Sequence, residues 1–303
     1  MDRKRKNTLF IGNGFSRVIF KDMPSWGKLF DKMESEIKNY TILYEMFRLD
    51  KPQKRSDESK VKTQLIEQIK TAFSVDKINK EICGLEEFGD YFRKNNVCDI
   101  ITTNYDKGIE ILLCDLCGYK QITEDGVSAE VVYSIRTHKV FISKDSKHRI
   151  RLWKIHGDLD RIKSVTLGFD QYCGALSKIE SYIKGKYEYE VCNEKRKCKA
   201  PMIEKCRTGE FDDISWAELF FKSNVYIVGF GMDFSEIDIW WILNKRARFK
   251  AEGSQIKNSI IYLYDKKYKK DQNVLDALNA FDVECREICS GFEYVENIFE
   301  QIT

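Results

Sequence analysis

The chain has 303 residues, of which 43% are hydrophobic and 13% aromatic, with only 3 prolines; that is ample for one large α/β domain or two small ones and excludes an extended disordered chain. A formal charge of +3 is too mild to imply a nucleic-acid-binding face, so direct nucleic-acid contact is not expected. No apolar run approaches the roughly 20 residues of a membrane helix. The basic start, Met1 to Lys6, leads only to the short run Leu9 to Ile11, against the roughly 7–15 apolar residues of a secretory core, so a cytoplasmic protein is expected.

The 10 cysteines should then be reduced thiols. Cys114 and Cys117 form a lone C-x-x-C, and Cys173, Cys192, Cys198 and Cys206 lack the paired spacing of structural zinc sites, so no metal is expected.

In chain order, Asn7 to Ile11 predicts a first strand, ended by Gly12-Asn13-Gly14-Phe15-Ser16. Two glycines two apart at a strand end allow a tight turn and close approach of backbone to a phosphate, next to a helix N-terminus. Arg17 stands where G-x-G-x-x-G would place its third glycine. A helical insertion is expected over about 31–98, with Met33, Ile37, Tyr40, Tyr44 and Phe47 at helical spacing, and again Leu65, Ile66, Ile69 and Phe73. The charged segment around Pro52 is an exposed loop between them.

Asp99 to Thr102 predicts a second strand, ending in Thr102-Thr103-Asn104-Tyr105-Asp106. The helix pattern Ile109, Leu112, Leu113, Leu116 follows at once. In an open α/β sheet, ligands bind where a parallel strand gives way to a helix, which puts Asn104 and Asp106 where they can face a ligand. Residues 119–149 suggest a peripheral hairpin, with Val131 to Tyr133 and Val140 to Ile142 as strands and His138 and His148 on the surface.

Arg151 to Ile155 predicts another strand ending in His156-Gly157. Histidine is the side chain whose ordinary pKa suits proton transfer near neutrality. Val165 to Phe169 is expected as a strand, and about 174–222 as a second, mostly helical insertion carrying the solvated basic run Lys195-Arg196-Lys197. Val225 to Val228 predicts a strand ending in a second turn, Gly229-Phe230-Gly231, with Asp233 and Ser235 before a helix from Ile237. Trp240 and Trp241 on that helix should pack on the sheet. Strands over Ser259 to Asp265 and Val283 to Ile288 alternate with helices over Val274 to Phe281 and Tyr294 to Ile302. The alternation specifies an α/β fold with a Rossmann-like, doubly wound, mostly parallel sheet and helical insertions.

The four strand-end motifs, G-N-G-F-S, T-T-N-Y-D, H-G and G-F-G-M-D, resemble in order and spacing the sirtuin-like superfamily. The likeness is strongest to the sirtuin-like NAD hydrolases of bacterial antiphage defence, which share Gly-Asn-Gly-Phe, Thr-Asn-Tyr-Asp and a late Gly-rich turn followed by Asp. Pro24-Ser25-Trp26 fits that group too. The resemblance implies a single sirtuin-like domain over 1–303 that binds NAD+. It implies a cofactor pocket formed by Gly12, Asn13, Gly14, Phe15, Ser16, Thr103, Gly229, Phe230, Gly231 and Asp233. It places Asn104 and Asp106 at the nicotinamide ribose and makes His156 the catalytic base.

The implied activity is cleavage of the nicotinamide–ribose bond, depleting NAD+ in abortive infection. The paired C-x-x-C zinc module and the Gly-Ile-Pro-Asp-Phe-Arg loop of protein deacylases are missing, which argues against NAD-dependent deacylation. A non-catalytic NAD- or ADP-ribose-sensing module is the other alternative. The segment after Ile288 is too short for a separate ligand-binding domain, so the trigger is expected from homo-oligomerisation or from a separate sensor or ATPase partner. HerA-type ATPases and short argonautes play that part for relatives.

Overall fold

A computed structural model describes residues 6–25, 63, 66, 67, 69–71, 78–123, 130, 132–166, 168–267, 270–289, 291 and 293–302. The expected helices of residues 33–47 and the loop around Pro52 lie outside these. Within the first insertion, 63, 66, 67 and 69–71 are helical, as is Phe88–Lys94.

The strands are β1 (Asn7–Ile11), β2 (Val97–Thr102), β3 (Lys120–Ile122), β4 (Lys139–Ile142), β5 (Arg149–Lys154), β6 (Glu188–Val191), β7 (Glu194–Lys197), β8 (Asn224–Val228), β9 (Ile260–Asp265) and β10 (Glu284–Ile288). Eight of them form one sheet in the order β10-β9-β8-β1-β2-β5-β4-β3, and β6 pairs with β7 separately. From β10 to β5 every neighbouring pair is parallel, and β4 and β3 continue the sheet antiparallel. From β1 the chain first builds outward through β2, and only later returns to β1's other side as β8. The crevice between the C-terminal ends of β1 and β8 is therefore the topological switch point of a doubly wound sheet.

The central strands are apolar on both faces because helices cover both. Leu9, Ile11, Ile100, Tyr226 and Val228 point into one core with the helices Asn13–Ile19, Phe88–Lys94 and Tyr294–Glu300. The alternate residues Phe10, Ile101, Trp153, Val225 and Ile227 point into a second core, with Phe169–Ile183, Ile237–Ala251 and Gln272–Ala280. Each such fully buried side chain is worth about 1.5–3 kcal/mol, so the two-residue period specifies the register strongly. The buried Asp99 is answered by the next strand, where Arg151 Nε donates at 2.7 Å and Trp153 Nε1 at 2.9 Å.

Four expectations change. Val132 and Tyr133 form bends rather than a strand: Tyr133 has φ 53°, and Ser134 Oγ accepts the N–H groups of Arg136 and Thr137. Val165 and Thr166 are not a strand either. Ser164 and Val165 lie tight against Gly157, Thr166 N–H donates to the His156 carbonyl at 2.7 Å, and Gly168 turns directly into the helix Phe169–Ile183.

The segment 174–222 carries, besides helices, the antiparallel hairpin of β6 and β7. Lys195, Arg196 and Lys197 are exposed on it, with Arg196 paired to Glu194 at 3.0 Å. His138 and His148 are half-buried rather than on the surface: His138 packs 4.3 Å from the Trp153 ring, and His148 shares a 2.7 Å hydrogen bond with the Tyr119 hydroxyl. All ten cysteines are free thiols.

Candidate functional site

The two glycine turns meet at the switch point. Gly12 N–H donates to the Val228 carbonyl at 2.9 Å and Gly14 N–H to the Gly229 carbonyl at 2.7 Å. A Cβ on Gly12 would lie 2.6 Å from the Gly229 carbonyl oxygen, and one on Gly229, at φ 60°, would lie 2.1 Å from the Phe15 nitrogen. Both positions therefore need glycine because one turn packs backbone-to-backbone on the other. This adds a packing role to the phosphate approach inferred from sequence.

Beside the joined turns lies a cavity of about 750 Å³, within the range of small-molecule sites. Of the residues predicted for cofactor binding, Asn13, Gly14, Thr103, Gly229, Phe230, Gly231 and Asp233 line it. Three do not. Gly12 sits beneath the turn, Ser16 is buried against Asn104, and the Phe15 ring is in the core, 5.8 Å from Phe88 and 6.2 Å from Tyr294. Sequence reasoning missed Arg17, Glu236, Tyr262, Asp265, Lys267 and Lys270, which also line the cavity. Asp265 carried a usable signal, being the last residue of β9, the strand next to β8.

Asn104 is 3% exposed and adjoins the cavity through Thr103. Its amide nitrogen donates to Ser16 Oγ at 2.9 Å, and its backbone N–H to Thr102 Oγ1 at 3.0 Å. The amide oxygen Oδ1 is buried without a hydrogen-bond partner. An orphaned buried acceptor costs about 1–3 kcal/mol and is satisfied once a hydroxyl or water reaches it. The Asp106 side chain serves the backbone. Its Oδ1 accepts the Gly108 N–H at 2.7 Å and tethers the start of the helix Gly108–Ile111. Burial, only partly countered by that bond and by Lys154, raises its carboxyl pKa.

His156 follows β5 and is 2% exposed. Asp238 Oδ2, on the first turn of the helix Ile237–Ala251, lies 2.9 Å from Nε2, and Asp238 Oδ1 accepts the Ile239 N–H at 2.9 Å. On the ring's other side, the Tyr172 hydroxyl is 3.3 Å and Glu236 Oε2 3.7 Å from Nδ1. Burial opposes the imidazolium, but the charges of Asp238 and Glu236 and the Asp238 hydrogen bond outweigh it, so the His156 pKa is raised. Glu236 is pushed up to about 7, first by burial and then by Asp238 and Asp233, against the pull of His156.

His156, Glu236 and Asp238 bring metal-competent atoms within 4.8 Å of one another. The two carboxylates, however, approach different ring nitrogens, whereas a metal ion would take only one of them. We read the cluster as hydrogen-bonded acid–base groups. His156, Glu236, Tyr172 and Asp238 thus form one polar cluster that reaches the cavity at Glu236, while Asn104 follows the neighbouring strand β2 and adjoins the cavity through Thr103.

NAD+ fits the residues present: an open crevice at the switch point, two glycine turns lining it, and an unpartnered acceptor in Asn104 Oδ1. No curated protein matches the chain. A family model described as a SIR2-like domain matches residues 99–284, a span that takes in the Asn104 turn, His156 and the late glycine turn. The chain therefore belongs to the SIR2-like family of NAD-dependent enzymes.

Proposed function

We propose that the protein is an NAD+ glycohydrolase, cleaving the nicotinamide–ribose bond to release nicotinamide and ADP-ribose, and that it acts as an NAD-depleting effector of antiphage defence. The observation that carries this reading is that Asn104 and His156 follow the paired strands β2 and β5 and adjoin, through Thr103 and Glu236, a cavity rimmed by the two glycine turns. Nicotinamide leaves from a cationic pyridinium and needs no general acid, so the chemistry asks for stabilisation of an oxocarbenium-like transition state and activation of water. Asn104 Oδ1 is suited to accept from a ribose hydroxyl or the water. His156 and its carboxylate partners supply the acid–base capacity, a contribution of roughly 10²–10⁴-fold.

The test is nicotinamide release from NAD+ by the full chain and by Asn104→Ala and His156→Ala, with and without candidate activators. Activity in the variants equal to the wild type would defeat the assignment.

A second reading, a non-catalytic NAD- or ADP-ribose-sensing module, draws on the burial of Asn104 and His156. Tight ADP-ribose binding without turnover under any activator would favour it. In the hydrolase reading the same burial belongs to a resting form, opened by homo-oligomerisation or by a sensor or ATPase partner. Size-exclusion chromatography paired with activity measurement checks this: a strictly monomeric, constitutively active chain would defeat the activation scheme.

A further inference from the structure

The cavity and the buried imidazole meet at one side chain. Glu236 lines the cavity, while His156 lies behind it. The Tyr172 hydroxyl links the two, donating to Glu236 Oε2 at 3.4 Å and lying 3.3 Å from His156 Nδ1. Asp238 holds the opposite nitrogen, Nε2, at 2.9 Å. Whatever proton leaves a molecule bound in the cavity therefore meets Glu236 before it can meet His156.

We propose that Glu236 is the general base of the site, and that His156, set between Asp238 and the Tyr172–Glu236 pair, stabilises the Glu236 carboxylate. The proposal rests on the glycohydrolase reading. In the step it describes, the ribose–nitrogen bond breaks with its electron pair leaving on nicotinamide, and a water oxygen bonds to the ribose carbon. One O–H bond of that water breaks as a new O–H bond forms on Glu236, whose proton is later released to solvent.

A base must arrive without its proton. His156 has a carboxylate against each ring nitrogen, which raises its pKa and disfavours its unprotonated form. Glu236, at about 7, is substantially ionised at neutrality. The groups that act on it come from every element around it: His156 after β5, Tyr172 from Phe169–Ile183, Tyr105 after β2, and Asp233 and Asp238 from its own turn and helix. Arg17 and Lys270 line the same cavity. Nothing in the local sequence marks Glu236, because it stands among helix-start residues, where an acidic side chain needs no special reason.

The experiment follows nicotinamide release against pH for the wild type, Glu236→Gln, Glu236→Asp, and Glu236→Ala with and without formate, alongside NMR titration of the His156 imidazole. Glu236→Gln should lose about 10²–10⁴-fold together with the ascending limb near neutrality. Glu236→Asp should keep that limb, and formate should partly restore Glu236→Ala. In Glu236→Gln the His156 titration midpoint should move down, a readout independent of turnover.

Glu236→Gln within about threefold of wild type, with His156→Ala inactive, would overturn this proposal and leave the hydrolase reading standing. An unmoved His156 midpoint would overturn the coupling. A wild type that releases no nicotinamide at any pH, with or without activators, would overturn the hydrolase reading and the base role with it.

Discussion

The two sides of the site are built in opposite ways. Around β1, β8 and β9, glycine turns open onto a large cavity, with Arg17, Lys267 and Lys270 at its wall. Around β2 and β5, the ends carry Asn104 and His156, buried and hydrogen-bonded to distant segments at Ser16 and Asp238, and Asp106, buried and bonded to the Gly108 N–H two residues on. In the proposed reading the first side receives the ligand, and the second holds Asn104 and His156 for the chemistry. They touch at Thr103 and Glu236, which line the cavity and border the buried groups. Binding and chemistry should therefore respond separately to substitution.

The largest separation should come from Asn104→Ala and His156→Ala. Each is expected to reduce nicotinamide release by roughly 10²–10⁴-fold while ADP-ribose affinity, measured by calorimetry, stays within a few-fold. Equal losses of binding and turnover would erase the distinction between the two sides.

Gly229→Ala strikes the receiving side instead. A methyl at φ 60° and 2.1 Å from the Phe15 nitrogen should cost about 2–3 kcal/mol or more, seen as a lowered thermal midpoint. An unchanged midpoint would show that the two turns are not locked together.

The pH dependence of stability sharpens the point of contact. The Glu236 pKa is raised from 4.5 to about 7, so the native state binds more protons than the unfolded chain between those values. Stability from this group falls as pH rises through that window, by on the order of 3 kcal/mol at most. His156, also raised, contributes stability that is fully present below its ordinary 6.5 and lost as pH rises through the folded value. Urea unfolding of Glu236→Gln should show a shallower decline from acid to neutral pH than the wild type, and an identical slope would remove the Glu236 contribution.

Asp106→Asn is the smallest case. An amide oxygen can still accept the Gly108 N–H, so activity should stay within about threefold and stability within about 1 kcal/mol. A loss comparable to that of Asn104→Ala would return Asp106 to the chemical side.

Much of this was legible along the chain. The apolar runs of β1, β2, β8 and β9 and the polar clusters that end them are local features, because a strand buried on both faces must be apolar and a strand end at a sheet crevice need not be. What local pattern misjudged was short and context-bound. Val165 and Thr166 have strand-forming side chains, but their backbone is taken up by the His156 turn. Val132 and Tyr133 lose strand geometry to a left-handed residue and a serine that captures the next N–H groups. Phe15 belongs to a glycine-turn motif and yet fills the core, since the first turn of the helix Asn13–Ile19 faces inward at that position.

By itself the sequence determined the alternation of strands and helices, the parallel α/β class and the residue types at the strand ends, because these follow from periodicity and backbone preference over a few residues at a time. Only the tertiary structure decided which strand ends share a crevice, that the glycine turns at 12–14 and 229–231 pack on each other, and that Glu236, Asp238 and Tyr172 gather around His156. Those pairings join residues 16 to more than 200 positions apart, and the order of strands in the sheet, which no local propensity encodes, is what brings them together.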